Sequence, residues 1–222
     1  IESIESNFEK RDQTENWFKY CHFWVSPFTT SVISNPAYMG TDEVVAGTYL
    51  RESGFNWSGL YIADGLQRTF DPYCNMWRRD AVYNSIRYCN TFLEKIGDVH
   101  DIQSIERERW IGEVEFLKAY YHYLLLRSYG AIPIVDKNLP VSAEASEMAT
   151  YRIPVDSCVN YISELLTIAA EKLPLKVEKA ATELGRITRP GALAIKAQLL
   201  TLAASPLFNG NTDYANIIDN KG

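Results

Sequence analysis

Reactive and metal-binding residue types are scarce in this 222-residue chain, which holds three histidines and four cysteines. Cys21, Cys74, Cys89 and Cys158 include no CxxC pair and have no histidine at ligand spacing, so neither a zinc site nor a redox motif is implied, and they read as small buried hydrophobes. There is no HExxH, no GxSxG, no P-loop and no GxGxxG after a strand, so the common signatures of hydrolases and nucleotide enzymes are missing. No catalytic residue, cofactor or metal is therefore assigned. No apolar run approaches the roughly 18 residues of a membrane span. The opening stretch, IESIESNFEKRD, lacks the basic start and apolar core of a signal peptide, which leaves a cytosolic protein or one whose signal has been removed. Basic charge is also short: 22 Lys+Arg face 28 Asp+Glu for a net charge of −6, and no basic patch stands out. A phosphate backbone would be repelled on average, so nucleic acid is not an expected partner.

What the chain has is an ordinary globular balance, 46% hydrophobic and 23% charged. Its length suffices to bury about 70% of the unfolded surface. Helical patterning dominates. Val82, Ile86, Cys89, Leu93 and Ile96 share one face of a helix expected from about Trp77 to Gly97, with Gly97 as a left-handed terminator. A short link leads to a longer helix from about Gln103 to Tyr129, striped by Val114, Leu117, Tyr121, Leu124 and Leu125 and stopped by Gly130. So short a link makes the two antiparallel neighbours. Residues 130 to 151 hold Pro133 and Pro140 and read as a crossing loop. Pro154 opens the next helix with Asp156 in its first turn, and Val155, Val159, Ile162, Leu166, Ala169 and Leu173 line its buried face. A last helix is expected from about Arg189 to Ala204. The N-terminal residues, about Ile4 to Phe23, read as one further helix. Residues 25 to 76 are broken everywhere by Gly, Ser, Asn, Asp and Pro, which predicts long loops with at most one short helix near Thr41 to Arg51. Paired helices joined in this way form an all-α stack of tetratricopeptide-like hairpins, although the consensus of that repeat is not present.

Two features carry candidate chemistry. His122 lies seven residues after Glu115, close enough in helical phase for an acid/base pair, but equally the spacing of a packing detail. A glycosidase would need two facing carboxylates, and no pair is singled out. The second feature is aromatic. Phe55, Trp57, Tyr61, Phe70, Tyr73 and Trp77 put six rings into 24 residues, about twice the density of the whole chain at 13%. Asn56, Asp64, Gln67, Arg68, Asp71 and Asn75 are interleaved with them. Flat rings beside amides and a guanidinium suit the C–H face and hydroxyl pairs of a sugar. The same rings also serve as anchors for a long loop, and the residues alone leave both readings open.

The run WIGEVEFLKAYYHYLLLRSYGAIPIV, from Trp110 to Val135, resembles the pattern GEarFLRAyyYf.Lv..yGgvPlv of the SusD/RagB family. Three further blocks stand in the same order: Thr41 to Glu43, Tyr83 to Glu94, and Gly185 to Arg189 followed by Ala204 to Gly210. Val114-Glu115 departs from the usual Ala-Arg, and Lys118 from the usual Arg. The resemblance implies an all-α fold of tetratricopeptide-like hairpins, a right-handed superhelical scaffold with long aromatic-rich loops. It divides the chain into a loop-rich insertion at 25–76, a hairpin at 77–129, a crossing loop at 130–153 and a hairpin at 154–204. It also implies that 1–222 is an N-terminal portion, since members are usually about twice as long, with the C-terminal part of the family's fold absent. Members resemble one another as nutrient-binding lipoproteins of the Bacteroidetes outer surface rather than enzymes. The implied role is cell-surface binding of an oligosaccharide or polysaccharide and delivery to a SusC-like TonB-dependent transporter, with attachment to the outer membrane through an upstream lipid anchor. Peptide binding, a purely protein-interacting scaffold and, further off, glycoside hydrolysis are the alternatives. The expected glycan contacts are Trp57 and Tyr73 as stacking platforms and Asn56, Arg68 and Asn75 as hydroxyl partners, with Trp77 as core.

Overall fold

The computed structural model describes residues 4–22, 35–39, 41–53, 58–70, 72, 75–77, 81–140 and 142–214, and every regular element among them is helical. A 3₁₀ turn over Ile4–Phe8 precedes α1 (Arg11–Cys21); α2 (Pro36–Met39), α3 (Thr48–Glu52) and α4 (Ser58–Ala63) are short. The scaffold follows as α5 (Val82–Lys95), α6 (Ser104–Tyr129), α7 (Ala145–Met148), α8 (Val155–Lys172), α9 (Ala180–Glu183) and α10 (Arg189–Ala204). Among the described residues no helix is long and apolar enough to cross a membrane.

The stack is ordered by α6. It packs against α5 on one side and α8 on the other, α8 packs in turn on α10, and α1 lies over α5 and α6. This is the expected run of tetratricopeptide-like hairpins. A helix enclosed on several sides must be apolar nearly all round, and α6 buries Trp110, Val114, Leu117, Ala119, Tyr121, Leu124, Leu125 and Leu126 together. These residues belong to one core with Phe18, Ile86, Phe92, Ile162, Leu166 and Leu199. Close approach of α6 to α8 depends on Gly112. A Cβ there would stand 2.8 Å from the Lys172 Cβ and 3.3 Å from the Ala169 carbonyl oxygen, both rigidly placed.

Element ends follow local chemistry. Gly130 closes α6 at φ +69°, donating its N–H to the Leu126 carbonyl at 2.9 Å. Arg189, at the start of α10, donates to the Ala170 and Glu171 carbonyls at 2.7 and 3.1 Å, covering acceptors that the end of α8 leaves open. Gly97, expected to be left-handed, is not. The chain tightens there into a 3₁₀ turn, Ile96–Asp98, whose cap hydrogen bond and burial of Ile96 and Val99 do the work of a glycine stop. The expected N-terminal helix is split, because Thr14 bonds the carbonyls of Asn7 and Lys10 and begins α1 afresh. The expected Trp77 helix starts at Val82, and the segment read as loop with at most one short helix contains three among its described residues.

The crossing loop is held by buried polar groups of α6. Lys118, only 4% exposed, donates its ammonium to the Asp136 carbonyl at 2.6 Å and carboxylate at 3.0 Å. His122, fully buried, donates from Nδ1 to the Lys118 carbonyl at 2.7 Å and accepts at Nε2 from the Val135 N–H at 3.3 Å. Tyr161 of α8 packs edge-on against the imidazole and donates its hydroxyl to Asp136 at 2.8 Å.

Two outcomes follow. Gly112→Val forces α6 from α8 and should cost about 1–3 kcal/mol in chemical denaturation, whereas Gly191→Ala, whose Cβ would crowd the flexible tip of Ile187 and touch Thr188 Oγ1 at an ordinary 3.7 Å, should be tolerated. Burial pushes the His122 imidazole down to about 4, against roughly 6.5 unfolded. The unfolded state therefore binds the extra proton between those values, and stability present above pH 6.5 is lost as pH falls toward 4. Unfolding free energy should drop by about 1–2 kcal/mol more between pH 7 and pH 5 in the parent than in His122→Gln; equal slopes would refute this.

Candidate functional site

The loop-rich segment is built around a small second core. Met39 of α2, Ala46 and Leu60 of α4 are buried together, with Val44 packed on them. Arg51, in the last turn of α3, pairs with Asp64 at the end of α4 and donates Nε to the Ala46 carbonyl at 3.3 Å. α4 ends in a Schellman motif: Gly65 at φ +73° donates to the Ile62 carbonyl at 3.0 Å, and Leu66 to that of Tyr61 at 2.9 Å. The chain that leaves this turn is open to solvent. Leu66, Gln67, Arg68 and Phe70 are exposed, Phe70 at 84%.

The segment is tied back to the scaffold at Met76 and Trp77. The Met76 N–H donates to the Tyr129 hydroxyl at 3.0 Å, and the Met76 side chain is buried. Trp77 is half-buried, edge-on to Tyr83 at 5.5 Å and Tyr129 at 5.2 Å, with the Arg152 guanidinium 5.1 Å from the centre of its ring. These contacts make Trp77 an anchor. Of the expected sugar contacts, Arg68 is exposed on the open stretch and Asn75 is half-buried beside the anchor. Trp57, Tyr73 and Asn56 lie outside the described residues. Among the exposed rings not singled out from the sequence is Tyr49 of α3, at 83%. A signal existed, since positions three and four residues on are Glu52 and Ser53, leaving the ring no apolar partner on its own helix.

A concave feature lies where α6 begins and α8 ends, an open cavity of about 620 Å³ faced by Arg11, Glu106, Arg109, Lys172, Glu183 and Arg186. Its charges are matched internally. Arg11 grips Glu106 with bonds of 2.6 and 2.9 Å, and Glu183 takes 2.8 Å from Arg109. Those hydrogen bonds hold both carboxyls below the usual carboxylate range. Behind them Glu113, with no exposure, receives Arg109 Nε at 3.2 Å and Arg186 Nε at 3.1 Å. Phe18 and Trp110 stack at 5.2 Å beneath, with Arg186 and Arg11 over their respective faces.

The conceivable acid/base pair is not assembled. Both His122 nitrogens are engaged by backbone groups, and Glu115 is bonded twice by the Lys172 ammonium, at 2.7 and 2.8 Å. Burial raises the Glu115 carboxyl against the pull of that lysine. No cluster of three or more His, Cys, Asp or Glu among the described residues could hold a metal ion.

This stack of helical hairpins has relatives of the same fold. A family model, SusD-like_3, described as "Starch-binding associating with outer membrane", matches residues 32–200. The chain belongs to the SusD-like family. It is similar to a solved structure named BT4246, at 31% identity and a TM-score of 0.80 over 94% of this chain and 34% of that one. A SusD-like protein (BF3747) from Bacteroides fragilis NCTC 9343 matches at 24% identity and a TM-score of 0.70, over 87% of this chain and 35% of that one. A laminarin-binding SusD-like protein shares the fold at 17% identity and a TM-score of 0.70, over 87% of this chain and 40% of that one. The chain thus spans a third to two fifths of the length of these structures. Among curated proteins none matches in sequence.

The stretch that resembles the family most falls on α6 and the crossing loop, where its polar residues are structural. Gly112 admits α8, Glu113 gathers two arginines, and the departures Glu115 and Lys118 pair with Lys172 and Asp136. Tyr129→Phe keeps the ring against Trp77 and removes the bond to Met76, so it should cost about 1 kcal/mol. Limited proteolysis should then cut the segment before Trp77 faster; unchanged cleavage would show that the rings alone hold it.

Proposed function

We propose that this SusD-like chain is part of a cell-surface protein that binds an oligosaccharide or polysaccharide and delivers it to a SusC-like TonB-dependent transporter. The observation that carries the reading is the exposed stretch Leu66 to Phe70, with Gln67, Arg68 and the Phe70 ring open to solvent between the small core at α4 and the anchor at Met76 and Trp77. Loops on such a scaffold are where binding residues collect. The family description, starch binding with outer-membrane association, and the laminarin-binding relative of the same fold support a glycan as ligand and a binding rather than catalytic role. Trp57 and Tyr73 serve as stacking platforms, and Asn56, Arg68 and Asn75 as partners for paired hydroxyls. Attachment is to the outer face of the outer membrane through a lipid anchor upstream of this chain, and the helical stack is the face offered to the transporter. A flat ring supplies dispersion and C–H contact with a sugar face at small entropic cost, while the amides and guanidinium select hydroxyl geometry.

Native affinity electrophoresis in gels containing soluble glycans, laminarin and starch among them, tests this on the full-length protein. Retardation by at least one glycan is expected. Trp57→Ala or Tyr73→Ala should weaken it about tenfold, the equivalent of roughly 1.4 kcal/mol, with unfolding unchanged. Indifference to every glycan, together with retention by the transporter, would replace this reading with that of a protein-interaction scaffold.

A further inference from the structure

The cysteines read from the sequence as inert core residues are not equivalent in the fold. Cys21 is the last residue of α1, and Cys89 sits mid-way along α5; both are completely buried in the one core. The facing of α1 on α5 is fixed by the residues around them. Trp17 donates its indole N–H to the Tyr88 carbonyl at 3.1 Å and packs edge-on against that ring at 5.6 Å. Phe18 meets Phe92 at 5.9 Å, and Tyr20 meets Tyr88 at 6.2 Å. Arg11 meets Glu106 and Cys21 meets Tyr121, so α1 runs along α6 and against α5; Cys21 stands three residues after Phe18 and Cys89 three before Phe92, and the pairing that joins those two rings brings both thiols to one level of the interface. The Tyr121 hydroxyl, donating to the Cys21 carbonyl at 2.5 Å, pins that end of α1 to α6 as well. Cys158 is placed differently, with its thiol directed to the Ile132 and Ile153 carbonyls of the crossing loop.

We infer that Cys21 and Cys89 are a disulfide pair, held as free thiols in this structure and closed when the chain folds in the presence of a small-molecule disulfide. The step is two successive exchanges. One cysteine thiolate attacks the oxidised disulfide, forming a mixed disulfide and releasing the first small thiol; the second cysteine thiolate attacks the protein-bound sulfur and displaces the other. Two protein thiols and one oxidised disulfide become one protein disulfide and two reduced small thiols, so electrons balance without a metal or flavin. Burial raises the Cys21 thiol well above its ordinary range, and a thiol is a poor nucleophile. Closure therefore belongs to folding or to transient opening of α1, not to the closed native interface.

The placement gives the bond a purpose. Cys21 and Cys89 bracket the whole loop-rich segment, including α2 to α4 and the exposed aromatic stretch, so one covalent link would join its two ends behind the proposed ligand site. A closed loop on the order of 70 residues removes much freedom from the unfolded chain. Cell-surface and periplasmic compartments permit such bonds. The pairing rests on the core geometry and does not depend on a glycan being the ligand.

The test is refolding of the purified chain from denaturant in a glutathione redox buffer, followed by thiol titration in denaturant and peptide mapping without reduction. Loss of two of the four thiols is expected, with a tryptic peptide carrying Cys21 joined to one carrying Cys89. Adding dithiothreitol should then raise the unfolding equilibrium constant about 10²- to 10³-fold in the parent and in Cys158→Ala. In Cys21→Ala and Cys89→Ala it should have no effect, whatever their baseline stability. Four titratable thiols after refolding, a link to any other cysteine, or an undiminished dithiothreitol effect in Cys21→Ala would overturn the assignment.

Discussion

The buried carboxylate of Glu113 is the constraint around which this scaffold is arranged. An ion without solvent is tolerated only when opposite charge and hydrogen bonds replace its hydration. Glu113 receives them from two elements at once, Arg109 one turn earlier on α6 and Arg186 just ahead of α10, the latter at 2.7 Å. Removing either arginine would leave the carboxylate short of a partner in the core, so the start of α6 and the approach to α10 are placed jointly. Arg186 also lies over Phe18, whose ring stacks on Trp110, so the same cluster locates α1. Ion pairing is a poor source of net stability here, since desolvation offsets most of the Coulombic gain. Its consequence is specificity of docking, while the apolar enclosure of α6 supplies the driving force.

A division of labour follows from that arrangement. Helix α6 spends its polar residues on structure: Glu113 on the N-terminal cluster, Lys118 and His122 on the crossing loop, and Tyr129 on the anchor of the aromatic segment. Each of these side chains meets a partner distant in sequence, and together they convert a helix into a spine from which loops are hung at fixed positions. The stretch that we propose faces the ligand lies outside this spine, with Leu66 to Phe70 exposed. Such separation of a rigid frame from exposed loops lets the loops change while the frame keeps its packing.

The long, periodic helices were legible in the sequence because their burial pattern is local. Val82 to Ile96, Val114 to Leu125 and Val155 to Leu173 each repeat at helical spacing, and the structure places α5, α6 and α8 there. Errors gathered where local signals compete with distant contacts. Gly97 looked like a left-handed stop, yet burial of Ile96 and Val99 favours a 3₁₀ turn. Polar interruptions between residues 25 and 76 suggested loop, but short turns of helix persist because Met39, Ala46 and Leu60 find one another across it. For the candidate site, an aromatic excess could be counted and Trp77 set apart as core, while the partners that hold it could not be named. Trp77 is fixed by the nearby Tyr83 and by Tyr129 and Arg152, both remote in sequence, and Phe70 by none of these.

By itself, the sequence determined the all-helical class, the order of the scaffold helices and the family pattern from Trp110 to Val135, because hydrophobic period and motif are properties of neighbouring residues. Only the tertiary structure decided what the polar residues of that pattern do. Whether Glu113 meets Arg186, whether His122 faces Glu115 or the Val135 N–H, and whether Cys21 stands opposite Cys89 depend on how helices far apart in the chain are packed. Periodicity assigns a residue to a face; the crossing of two helices chooses its partner.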